Sequence, residues 1–179
     1  SDVCSSDLRI TVASLFPTGD RSLDLELARL AAMLAPINDA LYGRLLAQIT
    51  DDSSPVDDIH YLLSAARLPV EPGKLDRERV AQALLGLDRK IAARKLSLDN
   101  NFFEHLGELY TDLISRDEQL PETLLAQEGF GRPGHVMFMT RLPKEQIPAG
   151  IAAFSKAIAA DPEYPWNNDV VFVMSHGRT

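Results

Sequence analysis

Residues 54–68 read SPVDDIHYLLSAARL, directly after two aspartates and a serine at 51–53, and this stretch contains most of the signals of an α-helix. Ser54 can cap the helix with its hydroxyl, and Pro55 suits the first helical position, where an amide hydrogen is not needed. Asp57 and Asp58 place negative charge in the first turn, where the helix dipole favours it. An apolar face follows at i, i+3, i+4 and i+7, formed by Ile59, Leu62, Leu63 and Ala66. Neighbouring segments must pack on this face to bury it.

The sequence before this helix has the same rhythm. Leucines recur at i, i+4, i+7 and i+11 and form the apolar stripe of a helix that Pro36 ends, namely Leu23, Leu27, Leu30 and Leu34. Residues 37–49 form a second helix. The apolar segment 9–16 is too short for its period to separate a helix from a strand.

The sequence after it predicts further helices over about 76–95, 100–115, 122–127 and 148–158. Residues 135–142 are ambiguous between a helical turn and a strand. Residues 169–175 contain VVFVM, which has high strand propensity, but the polar residues in front of it resemble a helix cap. We favour a helix there.

About eight helices with short connectors favour antiparallel neighbours. We therefore predict an all-α fold of antiparallel helical hairpins, stacked as a HEAT-like α-solenoid array over residues 9–179, with a sub-boundary near 128–134. Residues 1–8, SDVCSSDL, do not begin with methionine. We interpret them as a disordered scar of sequence assembly and leave them out of the fold prediction.

Composition excludes several functional classes. The net charge is −8, so DNA and anionic membrane surfaces would repel the protein, and we predict no nucleic-acid partner. No apolar run approaches the ~18 residues of a membrane span. The single cysteine is Cys4, so residues 9–179 have no disulfide, no thiolate nucleophile and no cysteine-based haem attachment.

The segment GFGRPG places Gly129, Gly131 and Gly134 at the spacing of a dinucleotide-binding loop. Such a loop follows a strand and opens a helix, so that its amides meet the pyrophosphate. Here it follows a predicted helix, and Pro133 removes one of the needed donors. The segment is therefore interpreted as a helix end followed by a turn.

Asp57 and His60 lie one helical turn apart and could share a metal ion or make hydrogen bonds at the start of the helix. With Asp58, and with His105 or His135 brought near by folding, they are the candidate catalytic residues of a metal-assisted hydrolase. The candidate interface residues are Trp166, Tyr61 and His135. Trp166, between a proline and two asparagines, is the aromatic most suited to packing across a repeat boundary.

The segments LFPTGDRSLDLELARLAAML, SPVDDIHYLLSAARLP and FGRPGHVMF resemble the α-helical repeat region of large exported bacterial multidomain proteins. These proteins combine HEAT-like repeats with a propeller-type dehydrogenase-like domain and a cytochrome c-type haem module. The resemblance implies a periplasmic or otherwise exported location, with the other domains of the same parent protein as partners. The haem motif C-x-x-C-H is absent, so it implies no cofactor for this part of the protein.

These observations favour a non-catalytic helical-repeat scaffold or protein-interaction module. Two alternatives remain open at this level. One is the metal-assisted hydrolase built on Asp57, Asp58 and His60. The other is a small all-α regulatory domain that binds a helix or peptide in a groove.

Overall fold

The computed structural model describes residues 2–99 and 101–176, with side chains from Asp7 onward. In these residues the chain forms ten α-helices and no β-strand, which confirms the all-α prediction. The helices are α1 (Asp2–Leu15), α2 (Arg21–Leu34), α3 (Asp39–Ala47), α4 (Pro55–Ala66), α5 (Lys74–Arg94), α6 (Phe102–Arg116), α7 (Leu120–Ala126), α8 (Val136–Met139), α9 (Ile147–Ala160) and α10 (Asn168–His176). Short 3₁₀ turns cover Pro133–His135 and Lys144–Gln146.

Short polar side chains start the helices of the N-terminal half. The Ser54 hydroxyl accepts a hydrogen bond from the Val56 amide at 3.3 Å, as the sequence predicts for α4. Asp20 and Asn38 cap α2 and α3 in the same way. The ambiguous segments 9–16 and 135–142 are not strands, and 169–175 lies in α10, the helix that we favoured.

The packing divides the chain into two compact units, residues 1–83 and residues 84–179. The division falls inside α5 and not near 128–134, where the sequence suggested a sub-boundary. Helix α1 begins at Asp2, so it includes residues 2–8, which we expected to be disordered. The first unit contains α1 to α4, and the second contains α6 to α10.

In the first unit, α2 and α4 lie side by side and run in the same direction. Arg21 at the start of α2 pairs with Asp57 at the start of α4, and the ring of His60 meets the Leu25 carbonyl one turn further on. Two helices that are next but one in sequence therefore pack in parallel.

The apolar stripe predicted for α2 is rotated in the structure. Leu27 is buried, but Leu23 and Leu30 are 49% and 41% exposed. The buried face consists of Asp24, Leu27, Ala28 and Ala31. Small alanine side chains let α2 approach its neighbours closely, and this displaces the larger leucines to the outside.

Asp24 is buried because its carboxylate holds the turn before α2. It accepts hydrogen bonds from the Thr18 amide at 2.6 Å, the Thr18 hydroxyl at 2.8 Å and the Gly19 amide at 3.2 Å. A carboxylate with three such donors tolerates burial, because the hydrogen bonds replace its hydration.

In the second unit, the backbone at Gly131 lies directly against α9. Its φ is +111°, and a Cβ atom added there would lie 2.7 Å from the Cβ of Ala157 and 3.2 Å from the carbonyl oxygen of Ala153. Both the dihedral angle and the space therefore require glycine.

We predict that Gly131→Ala destabilises the protein by roughly 2 to 3 kcal/mol, because it combines backbone strain with a steric overlap. Gly129→Ala is the matched control. Its φ is +88° but an added Cβ meets nothing within 4 Å, so only the backbone strain of about 1 kcal/mol applies. Urea unfolding of the two variants measures both values, and equal losses would contradict the steric part.

Candidate functional site

The three residues proposed for the hydrolase alternative each have a structural partner. The Arg21 guanidinium donates two hydrogen bonds to Asp57, from Nε to Oδ2 and from Nη2 to Oδ1, each at 2.6 Å. Asp58 is fully buried and accepts a hydrogen bond from the Ser53 hydroxyl at 2.6 Å. His60 Nε2 donates to the Leu25 carbonyl at 2.8 Å, since a carbonyl oxygen only accepts. These contacts tie the start of α4 to α2 and to the preceding turn.

The histidines named as additional ligands are also engaged elsewhere. His105 is exposed and lies beside Glu108 on the same helix, with 3.2 Å between Nδ1 and Oε2. His135 is buried in its own hydrogen-bond network. Across residues 2–99 and 101–176, no three histidine, cysteine or carboxylate side chains are grouped so that they could hold a metal ion. The converging cluster that the hydrolase alternative requires is not formed there.

The glycine segment folds around His135. The amides of Gly131 and Arg132 both point at His135 Nδ1, at 3.2 and 3.3 Å, and His135 Nε2 meets the Leu85 carbonyl at 3.2 Å. The imidazole is therefore neutral, with its hydrogen on Nε2. The amides that would face a phosphate in a dinucleotide-binding loop face an imidazole here, and the segment is a turn, as predicted.

Burial lowers the pKa of His135 from 6.5 to about 4, and the nearby Asp88 offsets only part of this effect. The ring is 1% exposed and stacks on Phe130, with centroids 5.7 Å apart. A protonated ring could not accept the two loop amides at Nδ1. The hydrogen bonds and the burial therefore favour the same neutral form.

Of the three candidate interface residues, only Trp166 has a largely exposed side chain, at 55%. Tyr61 is 5% exposed and packs edge-on against Phe16, with ring centroids 6.1 Å apart. With His135 also buried, two of the three residues present no side-chain surface to a partner. Trp166 packs edge-on against Tyr164 and leaves its other side open.

A groove that the sequence did not indicate lies in the second unit, and we call it the α6–α8–α10 groove. Its volume is about 540 Å³. Its apolar walls are formed by Phe103, Val136, Met137, Phe172 and Val173. Phe103 and Phe172 are 48% and 61% exposed, so aromatic surface faces solvent at the groove.

Arg141 also lines this groove and lacks a counter-charge. Its Nη1 lies 3.1 Å from the Thr140 hydroxyl and 3.5 Å from the Met137 carbonyl, so only neutral acceptors contact it. No carboxylate of the residues that the structure describes lies within ion-pair distance of this guanidinium. A partly buried cation without an anion is costly unless a ligand supplies one.

The position of Arg141 depends on Gly107, in the interior of α6. A Cβ atom at Gly107 would overlap the guanidinium of Arg141. Glycine in a helix interior is destabilising by about 1 kcal/mol relative to alanine, so the sequence does carry a signal at this position. Reading that signal requires knowing which side chain fills the space.

A second depression, of about 710 Å³, lies between the 127–133 loop and α9. The polar groups of its loop are already used: the Gly131 amide binds His135, and the Gly131 carbonyl accepts a hydrogen bond from the Tyr164 hydroxyl at 2.6 Å. Its charged residues are of both signs. It therefore has no unsatisfied group comparable to Arg141.

Comparisons with family models, with curated proteins and with solved structures found no match to this chain. The function of the chain is therefore inferred from its own geometry. None of the described helices is both long enough and apolar enough to cross a lipid bilayer.

Two buried tyrosines differ in their hydrogen bonding, and we predict opposite effects of the same substitution. The Tyr110 hydroxyl is buried without a partner, so Tyr110→Phe should stabilise the protein by about 1 kcal/mol. Tyr164→Phe removes the bond to Gly131 and should destabilise it by about 1 to 2 kcal/mol. Chemical denaturation measures both, and a loss of stability in Tyr110→Phe would show that its hydroxyl has a partner.

We also predict that stability falls as the pH is lowered from about 6.5 to about 4. In this window the unfolded chain binds a proton at His135 and the folded chain does not, and the total loss is about 3 kcal/mol. His135→Asn, which cannot titrate, should flatten the pH dependence of the unfolding free energy. His105→Asn is the exposed control and should leave it unchanged. Parallel curves for His135→Asn and the unsubstituted protein would contradict the prediction.

Proposed function

We propose that the chain is a non-catalytic helical interaction module that binds a short peptide segment of a partner protein in the α6–α8–α10 groove. The observation that carries this proposal is the combination of exposed aromatic walls with an arginine that has no counter-charge. A groove of about 540 Å³ lies within the range of roughly 300 to 1,000 Å³ that is typical of binding pockets.

The composition of the groove suits a protein partner. Aromatic side chains, methionine and arginine are the residue types enriched at protein interfaces, and Phe103, Met137, Phe172 and Arg141 supply all three. Phe172 extends from α10, whose only buried residue is Val170. Exposed Trp166 precedes this helix and would widen the contact surface.

Catalysis has less support than binding. Asp57, Asp58 and His60 hold α4 against its surroundings, and each has a defined protein partner. A catalytic base has to reach a substrate proton, and these side chains are directed at other groups of the protein. The groove itself supplies no paired acid and base near a nucleophile.

The HEAT-like stacking and the exported parent protein belong to the same proposal. Helices that are next but one in sequence contact each other in both units, as in α2 with α4, α6 with α8 and α7 with α9. Such contacts are typical of arrays in which successive hairpins stack. The partner would then be another domain of the parent protein, which the resemblance in sequence places outside the cytoplasm.

The proposal predicts that peptides selected from a library of short random sequences bind this groove. Phe103→Ser and Phe172→Ser remove exposed aromatic surface without disturbing the core, and each should weaken binding by about tenfold or more. Fluorescence anisotropy with labelled peptides measures the affinity, and the thermal unfolding midpoint verifies folding.

Met33→Ser and Ile37→Ser are the matched controls, because these apolar side chains are 75% and 84% exposed in the other unit. They should leave peptide affinity unchanged. Selected peptides that bind the Phe103 and Phe172 variants as well as the unsubstituted protein would overturn the proposal, as would a library that yields no binder.

A further inference from the structure

We propose that the α6–α8–α10 groove recognises the free C-terminal end of a peptide, with Arg141 binding its carboxylate. This inference rests on the proposed function and specifies which part of a partner is bound. Arginine is suited to this role because its planar guanidinium can donate two parallel hydrogen bonds to a carboxylate.

The donors of Arg141 are distributed so that a ligand can use them. Nη1 contacts the Thr140 hydroxyl and the Met137 carbonyl, and these contacts fix the orientation of the guanidinium. Nε and Nη2 make no hydrogen bond to the described part of the protein. One edge of the guanidinium is therefore held by the protein, and the other edge can receive two carboxylate oxygens.

The empty space at Gly107 allows the guanidinium to lie against the backbone of α6 at one side of the groove. A side chain there would push Arg141 away from this position. The seat restricts the motion of a long side chain before a ligand arrives, which lowers the entropy that binding has to overcome.

The other charges of the groove complement the rest of such a peptide. Glu104 and Asp169 line the groove, and neither lies within ion-pair distance of a cation among the residues described. Asp88, the third acid, is neutralised by Arg132, with 2.6 Å between Nε and Oδ2. Two free carboxylates and one free guanidinium therefore suit a ligand with an anion at its end and a basic residue further back.

The volume favours a chain end over the middle of a helix. A helix is about 10 Å across and rises 5.4 Å in each turn, so about 540 Å³ holds little more than one turn. A longer helix would leave most of its surface outside the groove. The last few residues of a chain fit the space and carry their own negative charge.

The test uses a library of short peptides with random apolar and basic residues, attached through their N-termini and made both as free acids and as C-terminal amides. We expect the best free acids to bind the full chain at least tenfold more tightly than the same sequences as amides. Affinities are then measured in solution with the released peptides.

Arg141→Met should abolish this preference for the acid, and Arg141→Lys should retain part of it. Arg116→Met is the control for net charge, because Arg116 is exposed at the end of the same helix as Gly107. It should leave the preference unchanged. Gly107→Ala should reduce the preference while the thermal unfolding midpoint stays the same or rises, since alanine favours the helix but displaces Arg141.

The outcomes separate this inference from the proposed function. If acids and amides bind equally and Phe172→Ser weakens both, the groove binds peptides but does not recognise a C-terminus, and the inference is wrong. If the acid preference survives in Arg141→Met, Arg141 is not the anchor, and the inference is also wrong. If neither form binds, the proposed function fails together with the inference.

Discussion

The second unit depends on one neutral imidazole. His135 receives the amides of Gly131 and Arg132 and donates to the Leu85 carbonyl, so that one ring joins a loop to the second half of α5. The loop then lies against α9, and its carbonyl at Gly131 holds Tyr164. Helix α8 begins at the next residue, Val136, and Val136 and Met137 form part of the groove wall. The binding surface is therefore positioned by a histidine that does not touch it directly.

Local signals in the sequence predicted the elements better than their faces. Ser54 and Pro55 start α4 as expected, and the α10 segment is a helix despite its strand-like composition. The buried stripe of α2 was wrong because period alone does not say which of two adjacent faces is covered. Ala28 and Ala31 are small and allow close helix packing, and this outweighs the larger area that Leu23 and Leu30 would have buried.

The candidate site was less predictable than the fold, for a chemical reason. Carboxylates and imidazoles that could bind a metal are also the groups that cap helices and pair with arginine, so Asp57, Asp58 and His60 fit both descriptions. Only the positions of Arg21, Ser53 and Leu25 separate the two. Arg141 and Gly107 are 34 residues apart in the sequence, and nothing in either local pattern links them.

The glycine in the middle of α6 sets a conflict between durability and recognition. A chain selected only for resistance to heat would accept a methyl group at Gly107, because the helix gains and no rigid neighbour objects. The substitution would look like an improvement in any screen that scores melting alone. Consensus or thermostability engineering of this module should therefore leave that position untouched, because its benefit would be visible only when a partner is present.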